Sequence, residues 1–171
     1  MAYQIFDQEE VDKINKNKDS NDRMEEFFNS ARNKWNEEIK PLTDNIKSNF
    51  NLESAKLVVD VQATALAYRQ NINEEISFYM QKRSKENIKF LRLTQEKLFW
   101  YSLGESPLGI SKKLTSGQLS AVIESHTAEA ERGVKLFDTH LEFLRATAKG
   151  LSDLGYNINK IIELHNYISK N

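Results

Sequence analysis

The chain has 171 residues, 24 Lys+Arg against 25 Asp+Glu, no Cys, six Gly and two Pro. No run approaches the roughly 20 apolar residues of a membrane span, no basic start leads into an apolar stretch as in a signal peptide, and disulfides, thiolate metal sites and cysteine nucleophiles are all excluded. One domain in a reducing, cytoplasmic setting is expected, and the net charge of −1 argues at first sight against a nucleic-acid binder.

Residues 1 to 22 hold few apolar groups (Ile5, Phe6, Val11, Ile14), which predicts a frayed polar arm, and residues 1 to 30 read as an N-terminal extension. Ser20, Asn21 and Asp22 offer helix N-caps. Met24, Phe28, Ala31, Trp35 and Ile39 then make one apolar helical face, and Pro41 is expected to end that helix. Residues 42 to 103 contain no Gly or Pro and are rich in helix formers, so a long helix is predicted from Leu52 towards Leu103. A bend or break is expected around Asn71 to Asn73, since Asn is a poor helix former.

Gly104, Pro107 and Gly109 mark a central loop near residues 104 to 115. Thr115 and Gln118 have the spacing of a capping box. Val134, Phe137, Leu141, Leu144, Ala148 and Leu151 alternate spacings of three and four, the heptad rhythm of a helix–helix seam. Gly155 is a candidate stop, and Asn157 a candidate cap for a final helix carrying Ile158, Ile161, Ile162 and Ile168. Strand signals are nearly absent. The fold class is therefore all-α, with long helices in residues 52 to 103 and 115 to 171. The seam serves first as an internal core, which every helical domain needs. The last helix, with its four Ile, is the better candidate for contact between subunits.

Divided along the chain, the charge is not neutral. Residues 1 to 60 carry 9 Lys+Arg against 13 Asp+Glu, residues 61 to 113 carry 9 against 5, and residues 114 to 171 carry 6 against 7. Lys82, Lys85, Lys89 and Arg92 are spaced three, four and three, so they share one helix face with Phe78, while Ile76, Met80, Leu91 and Leu98 lie on the roughly opposite face. Lys97, Phe99, Trp100 and Tyr101 close the segment, and Lys112 and Lys113 follow the loop. Phosphates reward cations at repeated spacing, and exposed aromatics give single-stranded bases a stacking surface. The same pattern suits a solvated amphipathic helix, which by pattern alone ranks first. An anionic membrane surface ranks below both, for want of a dense apolar face.

His126, His140 and His165 are scattered, and Glu9–Glu10, Glu37–Glu38 and Glu74–Glu75 are adjacent pairs that diverge on a helix. No phosphate-binding loop, dinucleotide fingerprint, nucleophile elbow or zinc-protease motif occurs. No enzyme, metal or cofactor is expected.

Four stretches point further. Leu52-Glu53-Ser54-Ala55-Lys56-Leu57, with Tyr68 downstream, opens the long helix; Lys97-Leu98-Phe99-Trp100-Tyr101-Ser102 closes it ahead of Gly104. Phe137-Asp138-Thr139-His140-Leu141-Glu142-Phe143 and Gly155-Tyr156-Asn157-Ile158-Asn159-Lys160-Ile161 follow. In order and approximate spacing, from about Trp35 to the C-terminus, they resemble the UvsY-type recombination mediators of T-even-like bacteriophages. The resemblance implies a non-catalytic, single-stranded-DNA-binding protein of the host cytoplasm during infection. It would assemble as a ring-like homo-oligomer of six or seven subunits and help a phage recombinase replace the phage single-stranded-DNA-binding protein on the strand. The family's basic DNA-contacting positions correspond to Lys97 and to Gln95, where this chain departs from the family's Lys; Arg92, about one turn earlier, is the candidate replacement. The DNA-binding candidates are thus Lys82, Arg83, Lys85, Lys89, Arg92 and Lys97, with Trp100, Tyr101, Lys112 and Lys113. The assembly candidates are Phe137, Leu141, Leu144 and Leu151, with Ile158, Ile161, Ile162 and Ile168. The rival expectation is a helical structural or scaffolding protein that binds no nucleic acid.

Overall fold

The computed structural model describes residues 8–48, 55–102 and 115–168. These form three helices, α1 (Gln8–Ser48), α2 (Ala55–Ser102) and α3 (Ser116–Ile168), with no strand among the described residues. The all-α expectation holds. The central loop, including Lys112 and Lys113, and the Leu52 start of the long helix lie outside the described residues.

The helices are longer than local signals predict. Residues 8 to 22 belong to α1, so Ser20, Asn21 and Asp22 are interior residues rather than caps. Pro41 also sits inside α1, on its exposed side. A mid-helix proline costs about 3 kcal/mol, yet α1 continues past it to Ser48, and Leu42, directly after the proline, is buried in the seven-residue series Asn21, Phe28, Trp35 and Leu42. Gly155 and Asn157 likewise fall inside α3 instead of dividing it. Leu144, Leu151 and Ile158 keep the seven-residue rhythm across Gly155. A helical glycine costs about 1 kcal/mol, less than the roughly 1.5–3 kcal/mol gained by burying one such side chain. α2 runs through Asn71–Asn73 without a break, with Ile72 fully buried between two exposed Asn.

One local signal works as written. Thr115 Oγ1 accepts from the Gln118 amide at 3.4 Å, and Gln118 Oε1 accepts from the Thr115 amide at 2.9 Å. This reciprocal pair caps α3.

The chain divides into two compact units, each taking a piece of every helix. The described parts of Phe28–Met80 and Thr139–Asn171 form one. Its core is apolar: Trp35, Leu42, Val61, Ala65, Ile72, Leu144, Ala148, Leu151 and Ile158. At its edge Trp35 Nε1 donates to Glu75 Oε2 at 3.2 Å. The described parts of Met1–Phe27 and Gln81–Asp138 form the other. Here Tyr101, Ile123, Val134 and Phe137 share the interior with Asn21, Lys97, His126 and Thr127.

Candidate nucleic-acid interface

The basic segment of α2 lies in this second, more polar unit. Its inward residues are Arg83, Glu86, Phe90, Thr94, Lys97 and Tyr101, partly or fully buried at spacings of three and four. The apolar residues placed roughly opposite the basic row are therefore not the ones that turn inward. Leu91 and Leu98 stay about half exposed, as does Ile88, and Met80 in the apolar unit is half exposed as well; only Ile76 of the expected set packs against a core. The seam begun by Val58, Val61 and Ala65 continues in register and sets which side of α2 turns in.

The outward side carries the cations. Lys82, Lys85, Lys89 and Arg92 are all exposed. Lys89 Nζ donates to Glu86 Oε1 at 2.6 Å, a solvent-facing pair three residues apart on one helix. Such pairs exchange readily with solvent ions. Lys85 and Arg92 form no ion pair among the described residues. Phe99 follows them at seven-residue spacing and is 65% exposed, so its ring lies along the same line as Lys85 and Arg92. Phe99 was not among the stacking candidates. The signal that identifies it is the repeat of seven from Lys85 to Arg92 to Phe99. Phe78, in the apolar unit, is exposed too.

Other candidates are placed differently. Arg83 turns inward, where Nε and Nη2 donate to Asp138 Oδ1 and Oδ2 at 3.0 and 3.1 Å. That bidentate hydrogen bonding raises its pKa further above its ordinary value. Lys97 is buried and paired with the Glu10 carboxylate of α1, and its Nζ lies 4.6 Å from the Trp100 ring centroid. Trp100 is partly buried. Tyr101 is 3% exposed, and its hydroxyl shares a 2.8 Å hydrogen bond with His126 Nε2, so it offers no stacking face to solvent. Burial, and then the Glu10 charge, raise the Tyr101 pKa. Burial, and then the Lys97 ammonium, lower that of His126, with Glu10 acting against them.

The expected assembly residues are corrected in the same way. Phe137, Leu141, Leu144 and Leu151 are buried in the chain's own interior, the use expected first for the seam, and Ile158 of the expected intersubunit helix is buried there with them, so none presents a surface to a second copy. Ile162 packs against the apolar core and Ile161 is partly buried. The side chain of Ile168 lies outside the described residues.

No family model matches this chain, and no curated protein or solved structure does. No helix among the described residues is long and apolar enough to cross a membrane. No group of three or more His, Cys, Asp or Glu residues suited to a metal ion occurs among them.

The site can therefore be read only from its own chemistry. The row Lys82, Lys85, Lys89 and Arg92 repeats a cation about every turn of helix, at about 5 Å. Flexible lysines with an arginine match a run of phosphates without fixing a base sequence. Phe99 adds one sequence-tolerant stacking face.

Proposed function

We propose that this chain is a single-stranded-DNA-binding recombination mediator of the UvsY type. In this reading it binds the strand non-catalytically along the outward face of α2 and acts as a homo-oligomeric ring. It helps a phage recombinase displace single-stranded-DNA-binding protein in the host cytoplasm. The observation that carries the reading is the exposed row Lys82, Lys85, Lys89 and Arg92, aligned with exposed Phe99, in a chain whose net charge is −1. The resemblance of the four sequence stretches to that family is what suggests the mediator role. Each subunit offers few phosphate contacts, so assembly would multiply weak contacts through effective concentration.

The test is anisotropy of labelled oligo-dT against the full chain at two salt concentrations, with mass in solution measured alongside. Binding should weaken as salt rises, with a logarithmic slope of about −0.7 per phosphate contact. Changing Lys85, Lys89 and Arg92 together to Ala should cost about tenfold or more in affinity with helicity unchanged. No binding, or binding indifferent to salt and to these changes, overturns the proposal. A monomer overturns the ring.

A second reading has its own observation. Ile88, Leu91 and Leu98 are about half exposed on α2, beside the basic row. Grouped apolar exposure of this kind suits a helical scaffold that binds proteins rather than DNA. It predicts oligomers insensitive to changes at Lys85 and Arg92.

A further inference from the structure

Within the more polar unit, the N-terminal part of α1 is held by charged and polar contacts. From Gln8 to Phe27 its one fully buried side chain is polar, Asn21, while Val11, Ile14 and Met24 are only partly buried. Glu10 pairs with Lys97. Asp22 and Glu25 each place a carboxylate oxygen 2.7 Å from Arg132. Asn21 Nδ2 donates to the Glu129 carbonyl at 2.7 Å and to its carboxylate at 3.0 Å. Little apolar surface holds this stretch in place, so its anchoring is the kind that another anion can replace.

The Lys97 end stands out. An ammonium buried beside an indole face, 4.6 Å from its centroid, combines the two groups that a nucleotide uses: a cation for phosphate and a ring for a base. The cation is on the inward seam of α2, but Trp100 is eleven residues from Lys89 and so lies on nearly the same helix face as the outward row. Trp100 thus joins the exposed cations to the covered one. The group over Lys97 is the Glu10 carboxylate, whose charge and oxygen geometry approximate those of a phosphate oxygen.

We propose that Lys97 and Trp100 form a covered phosphate-and-base subsite, and that Glu10 of α1 occupies the phosphate position until single-stranded nucleic acid displaces it. The inference rests on the single-strand-binding reading above and adds its regulation. Exchange of one anion for another on Lys97 leaves the ammonium paired throughout, so opening never exposes an unpaired buried charge. The Tyr101–His126 hydrogen bond joins α2 to α3, and Glu10 Oε1 lies 3.9 Å from the other ring nitrogen of His126. The first turns of α1 act as a strap whose release couples strand binding to a change at the N-terminal end of the protein.

Two measurements on the full-length chain test this. The first compares oligo-dT affinity of wild type and Glu10→Gln at one salt concentration. Gln keeps the size and an oxygen for Lys97 but removes the competing charge, so affinity should rise about three- to tenfold, and Lys97→Ala added to Glu10→Gln should abolish the gain. Glu9→Gln, on an exposed position one residue away, should leave affinity unchanged. The second uses unaltered protein: backbone amides of residues 8 to 20 should exchange faster with oligo-dT bound than free. It stands even where Glu10→Gln costs helicity. Salt-dependent binding with those amides equally protected, or with affinity unmoved in a folded Glu10→Gln protein, overturns the strap and leaves the basic row as the binding surface. Absence of oligo-dT binding in both proteins overturns the parent reading, and the strap with it.

Discussion

His140 stacks face-on against Phe28, with ring centroids 4.2 Å apart and planes 11° from parallel. Tyr79 meets the same imidazole edge-on at 4.8 Å, and Phe143 lies parallel at 6.5 Å. The ring is fully buried, and neither nitrogen has a hydrogen-bond partner among the described residues. Burial, reinforced by the Arg32 charge, pushes its pKa down to about 4. The unfolded chain holds this His at its ordinary value near 6.5, so between the two values the unfolded state binds more protons. Stability is complete above that range and falls as pH drops through it, by about 3 kcal/mol at pH 4. Urea midpoints from pH 7 to pH 4 should show this loss. His140→Phe, which keeps a flat ring and removes the basic nitrogens, should flatten most of the slope; an unchanged slope would assign the acid sensitivity elsewhere.

Gly133 of α3 lies against Asn21 of α1, where an added Cβ would come within 3.1 Å of Asn21 Oδ1. Gly133→Ala gains up to about 1 kcal/mol of helix propensity. It also pushes on an amide held by two hydrogen bonds to Glu129, worth about 1 kcal/mol each. The expected net effect is a loss of about 1 kcal/mol in the native background and a gain when Asn21→Ala accompanies it. A double-mutant cycle by chemical denaturation reads the coupling directly.

Gln118→Ala removes one half of the cap that opens α3, and Thr115→Ala the other. Each should cost about 1 kcal/mol. The effect should appear as faster amide exchange in the first turn, with exchange around Leu144 unaffected except through global stability.

Arg83 and Arg92 should separate stability from binding. Arg83→Ala breaks the two hydrogen bonds to Asp138, and because both groups are more than a third exposed the cost should be only about 0.5–1 kcal/mol. Its oligo-dT affinity should change less than twofold. Arg92→Ala, at an exposed position with no ion pair among the described residues, should leave the denaturation midpoint in place and lower affinity several-fold, with a shallower salt dependence. Equal losses of affinity at both positions would count against the outward row as the strand's path.

Much of the architecture is legible before any coordinates. The absence of Gly and Pro from residues 42 to 103 foretells the long α2, Thr115 and Gln118 foretell the start of α3, and the spacing of Lys82, Lys85, Lys89 and Arg92 correctly puts these cations on one exposed face. These features depend on neighbours within four residues, where helix geometry alone sets the outcome.

Tertiary packing decides the rest. Pro41 and Gly155 look like helix ends in isolation, but Leu42 is buried directly after the proline and Ile158 beyond the glycine, whose cost of about 1 kcal/mol is less than the roughly 1.5–3 kcal/mol gained by burying that side chain. Which face of α2 turns inward depends on what distant helices offer it. Glu10 lies 87 residues from the Lys97 it pairs with, and Asp138 lies 55 residues from Arg83. No local pattern separates these two cations from Lys85 and Arg92, because a buried and an exposed lysine have the same sequence signature until the opposing carboxylate is in place. Local pattern is enough to make this a helical protein with a basic row; which of its cations face solvent depends on the charges packed against them once the chain has folded.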